Sequence, residues 1–195
     1  VTVAYVIARQ SDGVPMTTLI LAGVAISSMA GALTSLLMIQ SDPDVRPLLG
    51  WLLGGFNGAS WVDVKVLIIY IIPAIVVMIA YGRMLNLFQL SEDEAKQLGV
   101  NVERSKVLLV ALASLTTAAA VSVSGMIGFV GLIAPHAVRL IWGHDHRTVL
   151  PMAMLVGGGF LIVADVVART IVSPSELPVG VVTAFCGGPF FLYLL

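Results

Sequence analysis

The sequence predicts an all-α fold, a polytopic bundle of transmembrane helices, and three observations lead there. Of 195 residues, 58% are hydrophobic and only 11% charged, and the mean hydropathy is +1.03. Soluble domains carry about a quarter charged residues, so this chain calls for lipid as its solvent. The apolar residues gather into stretches near the 20 or so that a helix needs to cross a hydrocarbon core of roughly 30 Å. Lysine and arginine, finally, are dense in alternate connections between those stretches and sparse in the others, the charge asymmetry of a chain that crosses a membrane repeatedly.

Taken in order, residues 1–8 read as the last two turns of an upstream helix. About six transmembrane stretches follow, at 17–39, 62–81, 106–123, 126–142, 149–171 and 180–195. The fourth and sixth are short and interrupted, one by Gly128, Gly131 and Pro135, the other by Gly187, Gly188 and Pro189. Broken backbone at membrane depth survives only where protein or a water-filled cavity supplies hydrogen-bond partners. These two are therefore expected inside the bundle or beside a pathway.

One set of connections holds Arg9, Arg83, Lys96, Arg104, Lys106, Arg139 and Arg147, and the other only Arg46, Lys65 and Arg169. Seven against three places the first set, with the long 83–106 connection, on the cytoplasmic side. That connection carries helix signals of its own. Ser91 and Glu94 have the spacing of a capping box, Glu92 and Lys96 form an i,i+4 pair in the favourable order, and Gly99 stands where a left-handed C-cap belongs. The prediction is a short helix over 92–98 outside the membrane, with Ala95 and Leu98 able to face a partner. A solvated connector that merely reverses the chain is the plainer alternative.

Several function classes lose support. The basic residues are scattered and the net charge is −1, so the footprint of nucleic-acid binding is missing. A single cysteine, Cys186, allows neither an intrachain disulfide nor a thiolate metal cluster. The chain contains no P-loop, H-E-x-x-H or G-x-S-x-G pattern, so ATP hydrolysis, zinc proteolysis and serine-elbow chemistry find no residues. An intramembrane aspartyl protease needs two membrane carboxylates, and Asp165 stands alone at depth. The eight methionines are dispersed and read as core filler. The chain opens on Val1 and closes on the apolar run 190–195 without a signal-peptide pattern, and it reads as a fragment.

The segment 125–136 (GMIGFVGLIAPH), followed by Arg139 and 143–147 (GHDHR), resembles the signature of the permease subunits of the iron-siderophore, haem and vitamin B12 ABC importers. ADVVART, ELPVGVVTA and GGPFFLYLL in 164–195 are similar to the end of that family, as are LAGVAISS at 21–28 and EAKQLGVNVERSK at 94–106. The match covers essentially the whole chain. It implies one transmembrane permease domain, 1–195, corresponding to the tail of the fourth helix through the tenth of about ten in the family. The partners implied are a second permease subunit, usually an identical copy, two cytoplasmic ATPases below and a soluble extracytoplasmic binding protein above. The implied location is the cytoplasmic (inner) membrane. ATP and Mg would be used by the ATPase, and no cofactor or metal by this chain.

The resemblance also assigns sites. It makes 91–100 the coupling region that enters a groove of the ATPase, with Glu92, Glu94, Ala95, Leu98 and Gly99 in it, and Leu98 and Gly99 as the contact point. Gly23, Ser27, Gly31 and Ser35 recur every four residues, a register that lets two helices approach closely in lipid and that plain packing also explains. In the family this helix lines the translocation path, so Gly23, Ser27, Ser28, Gly31 and Thr34 are path candidates, and 12–18 would lie at an inner gate. Asp165 and Arg169 are one turn apart and suit an interfacial ion pair. Arg169 matches a family arginine that meets a carboxylate of the docked binding protein. His144 and His146 flank Asp145 without a further ligand at suitable spacing, so His144 and Arg147 read as ATPase contacts rather than metal ligands. His136, after Pro135, is expected to satisfy a buried backbone group.

The expected function is thus the channel-forming subunit of an ATP-driven importer of a metal chelate, ferric siderophore first and haem or cobalamin next, with no catalytic site of its own. An ion-gradient-driven secondary transporter is the alternative, and it would require ionisable residues near the midplane at broken helices. A structural or receptor role would leave the capped cytoplasmic helix without purpose.

Overall fold

The computed structural model describes residues 7, 16–40, 46–88, 102–172 and 177–194. All regular structure among them is helical. The chain divides into two compact units, Val1–Pro47 and Leu48–Leu195. In the first unit, α1 (Met16–Gln40) is a single unbroken helix of 25 residues. Its serine and threonine hydroxyls turn back onto their own helix: Ser28, Thr34 and Ser35 donate to the carbonyls of Val24, Ala30 and Gly31 at 2.9, 2.9 and 3.0 Å. This local bonding lets hydroxyls sit in an apolar segment without leaving a donor unmet.

Most of α2 (Arg46–Leu53) belongs to the second unit, together with α3 (Trp61–Ala80), α4 (Gly82–Leu87), α5 (Val102–Ser124), α6 (Val130–Trp142), α7 (His146–Thr170) and α8 (Val179–Leu194). Among the described residues four helices, α1, α3, α5 and α7, are long and apolar enough to cross a membrane, and α6 and α8 are shorter apolar helices. A capping box starts α3: Asp63 N–H donates to Ser60 Oγ at 3.4 Å, and Ser60 N–H donates to Asp63 Oδ2 at 2.9 Å. Within the unit, α3 packs on α5, α6 lies along α7, and α8 packs on both α7 and α6. Small residues set these distances. Gly157 of α7 is buried where a Cβ would come within 3.4 Å of Ala134 and 3.5 Å of Val130 on α6. The buried centre is Ala164, Ala168 and Val179, with Phe56, Ile127, Leu161, Leu177 and Val182 around it. Close approach of small side chains is how helices associate when lipid removes the hydrophobic drive between them. The large apolar side chains point outward instead, Ile69, Leu155 and Ile162 being about two-thirds exposed.

At one end of this unit three chain segments tie together through their backbones. Gly55 N–H donates to Ser124 O at 2.8 Å, Gly180 N–H to Gly54 O at 3.2 Å, and Met126 N–H to Trp51 O at 3.4 Å. Gly54 and Gly125 hold φ of 71° and 66°, and a Cβ on Gly125 would run into the Trp51 carbonyl oxygen. Both positions therefore require glycine for conformation and for space. At the opposite end the turn 143–145 between α6 and α7 meets α4.

Four expectations are corrected. The fourth stretch does not run from Met126: the break is at 125–129, where Phe129 takes φ 67°, and α6 begins only at Val130. Gly131 and Pro135 lie inside continuous helix. Gly187, Gly188 and Pro189 do not interrupt α8. Gly187 is there because the Phe129 side chain presses on its backbone, and Pro189 costs one ladder bond without ending the helix. Two helices, α2 and α4, stand where connections were expected, and the short helix predicted at 92–98 falls outside the described residues.

Candidate functional site

At the α4 end the site is a joint between α4 and the start of α7. Asp145 is the N-cap of α7: its carbonyl takes the N–H groups of Thr148 and Val149 at 3.0 and 2.9 Å, and its Oδ1 takes the N–H of Arg147 at 2.9 Å. Asn86 of α4 closes the joint from the other side. Its amide donates to Asp145 Oδ1 at 2.7 Å, and its Oδ1 accepts the His146 N–H at 2.8 Å with His146 Nδ1 at 2.9 Å. The Asn86 hydrogen bond, with that of the Arg147 amide, holds the Asp145 carboxyl below its ordinary value of 3.8. Gly82 is buried against Arg147, where a Cβ would lie 3.3 Å from Cγ. Beside it Ile79, Ala80, Arg83, Asp145, Arg147 and Thr148 line an open cleft of about 580 Å³.

Of the ATPase contacts expected from sequence, His144 is exposed at the tip of the turn and Arg147 lies in the joint. Glu92, Glu94, Ala95, Leu98 and Gly99 lie outside the described residues, just beyond α4 and Phe88. Asn86 and Gly82 were not singled out in the sequence. Asn86 sits in the connection that was read as polar linker, and the i,i+59 partner that gives it a role is invisible to local pattern.

The path candidates all lie on α1. Ser27, Ser28, Gly31 and Thr34 are exposed and Gly23 is half-buried, and a Cβ on Gly23 or Gly31 would meet nothing within 4 Å. Because the Ser28 and Thr34 hydrogens are bonded to their own helix, these hydroxyls offer lone pairs rather than donors to a passing molecule.

Near the knot end of α7, Arg169 Nε donates to Asp165 Oδ2 at 2.8 Å, the ion pair that the spacing predicts. The arginine side chain is 43% exposed and the aspartate 24%. Asp165 Oδ1 is buried without a hydrogen-bond partner among the described residues. His136 differs from expectation: its ring packs edge to face on Phe190, with centroids 5.6 Å apart at 79°. Among the described residues no group of three His, Cys, Asp or Glu side chains comes together to hold a metal.

The FecCD transport family model matches residues 1–195. The chain belongs to the FecCD transport family. A cobalamin import system permease protein, BtuC of Halobacterium salinarum, is 49% identical over 191 residues, which is 98% of this chain and 51% of that protein. The hemin transport system permease protein HmuU of Yersinia pestis is 41% identical over 195 residues, 100% of this chain and 58% of the relative. The chain therefore spans about half the length of the curated relatives it matches. Among solved structures, a metal-chelate type ABC transporter in an inward-facing conformation superposes with a TM-score of 0.87 at 35% identity, over 92% of this chain and 60% of that one. The chain is a multi-pass protein of the cytoplasmic membrane.

Proposed function

We propose that this chain is part of the channel-forming subunit of an ATP-binding-cassette importer that brings a metal chelate into the cytoplasm. The observation that carries the reading is the FecCD match across the full chain, joined to a helical arrangement that superposes on a metal-chelate transporter. The importer would comprise a second permease subunit, most simply an identical copy, a cytoplasmic ATPase that supplies ATP and Mg chemistry, and an extracytoplasmic binding protein. The permease itself performs no covalent step.

In this mechanism the turn end faces the cytoplasm, as the Lys/Arg distribution requires. The segment 91–100 meets the ATPase, with Leu98 and Gly99 at the contact and His144 beside it. Its neighbour α4 is hydrogen-bonded to the start of α7 through Asn86 and Asp145, so a displacement of the coupling segment enters the bundle along α7. Gly23, Ser27, Ser28, Gly31 and Thr34 of α1 give a path wall of small side chains, with the Ser28 and Thr34 donors already bonded to their own helix, suited to a bulky cargo that must not stick. Arg169 at the outer end meets a carboxylate of the binding protein. Cobalamin and haem come before ferric siderophore as cargo, a ranking supported by the names of the Halobacterium salinarum and Yersinia pestis relatives.

The test uses the full-length subunit in liposomes with its ATPase and binding protein, supplied with labelled cobalamin, haem or ferric siderophore. ATP-dependent uptake of one cargo, insensitive to an ionophore, is the expected result. Uptake that persists without ATP and collapses with the ion gradient would overturn the reading in favour of a secondary transporter.

A further inference from the structure

The cleft between α3, α4 and the start of α7 has a specific chemistry. Arg83 and Arg147 both line it, and both are exposed. Arg147 lies across the buried backbone of Gly82, the residue before Arg83, so the two cationic side chains start from the same spot of the wall. Asp145 also lines the cleft, but its Oδ1 is turned into the joint by Asn86 and the Arg147 amide. Two arginines and one carboxylate leave a single positive charge. The first-turn amides of α7 are already bonded to Asn86 and Asp145, so any anion here is held by arginine side chains and not by the helix terminus.

The remaining wall decides what kind of anion fits. Ile79 lines the cleft and is also the last member of an outward-facing stripe on α3: Ile69, Ile72, Val76 and Ile79, at successive spacings of three and four residues, are all exposed. A polar cleft of about 580 Å³ thus opens at the end of an apolar track on a membrane-spanning helix. A soluble anion would have no use for the track, and an acidic loop of a protein would meet hydrocarbon along it. A molecule with one phosphodiester charge and acyl chains matches both parts.

We infer that this cleft binds the phosphodiester headgroup of an anionic phospholipid, with Arg83 and Arg147 on the phosphate and the acyl chains along Ile79, Val76 and Ile72. Basic pockets between transmembrane helices on the cytoplasmic side are suited to such headgroups, and guanidinium groups pair with phosphate oxygens through charge-assisted bonds. Bound there, the lipid would brace α3 against the α4–α7 joint. The inference rests on the cytoplasmic orientation of the turn end proposed above, and on neither the cargo nor the energy source.

The experiment measures lipid retained by the full-length subunit, by native mass spectrometry after extraction from membranes of defined phosphatidylglycerol and phosphatidylcholine content. Wild type should keep phosphatidylglycerol in preference to phosphatidylcholine, and the Arg83→Gln/Arg147→Gln pair should lose that preference by roughly twenty-five-fold, about fivefold for each arginine near an anionic surface. Arg83→Gln alone changes one exposed side chain and should give about a fivefold loss, which keeps the test valid if the pair folds poorly. Equal retention by wild type and Arg83→Gln would overturn the inference. So would displacement by inorganic phosphate with no lipid retained, which would assign the cleft to a soluble anion. Unchanged lipid binding with weaker ATPase association of Arg83→Gln in lipid-free detergent would assign it to the ATPase. Because uptake is not the readout, a failed transport assay leaves this result interpretable.

Discussion

The two ends of the helical unit are fastened in different ways. At the knot end the bonds run from backbone to backbone, among Trp51, Gly54, Gly55, Ser124, Met126 and Gly180, and at Gly54 and Gly180 no Cβ has room. At the joint end the fastening is made by side chains, Asn86 and Asp145, around an open cleft. Backbone knots cannot slide without breaking the helices they terminate, whereas a side-chain joint can re-form in a second arrangement. In the importer proposed above, the adjustable fastening stands at the end where the ATPase would act and the stiff one at the far end.

The largest effect should come from attacking the knot. Gly125→Ala places a Cβ on the Trp51 carbonyl oxygen at a φ of 66°, and combines left-handed strain with overpacking. A loss of about 2–4 kcal/mol is expected, read as a lower unfolding midpoint of the full-length subunit in detergent. Gly58→Ala, where a Cβ would meet nothing within 4 Å, should be tolerated and so sharpens the contrast.

Charge reversal at Arg169 is next. Arg169→Glu puts a second carboxylate one turn from Asp165 and removes the cation proposed above to meet the binding protein. Docking affinity, measured between the full-length subunit and its binding protein, should fall by roughly tenfold or more. Unchanged affinity would remove Arg169 from the docking site.

At the joint, Asn86→Ala removes the hydrogen bonds that tie α4 to the His146 amide and the Asp145 carboxylate. Protease cleavage in the 89–101 connection should become faster while the knot end stays protected. Cleavage at the wild-type rate would mean that Asn86 does not fasten α4.

The smallest effect is the pH response of the same joint. Asp145 has its carboxyl held below 3.8 by Asn86, so its contribution is complete above that value and is lost as pH falls through the lowered folded value. Loss of the Asp145 contribution should therefore raise protease sensitivity of the 89–101 connection as pH falls below about 4. A rise near pH 6 would point to histidine instead.

What the sequence made legible follows from periodicity and composition. The four long helices were readable because lipid imposes a length and an apolarity that no local packing can override, and the Asp165–Arg169 pair because one helical turn fixes its distance. The breaks were misplaced for a physical reason. Glycine and proline mark sites where a helix can break, but Pro135 and Pro189 are carried inside helices, while the true break at 125–129 depends on the distant carbonyl of Trp51. The capping box at Ser60 and Asp63 went unread because aspartate stands where glutamate is the usual signal. Asn86 and Gly82 were hidden because their partners are about 60 residues away in sequence.

The most direct test of the account is hydrogen exchange on the full-length subunit assembled with its ATPase, with and without ATP. The amides of His146 and Arg147 at the joint should change their exchange when nucleotide binds, and those of Gly55 and Gly180 at the knot should not. Exchange that changes at the knot alone, or at neither end, would contradict a motor-driven permease entered through α4.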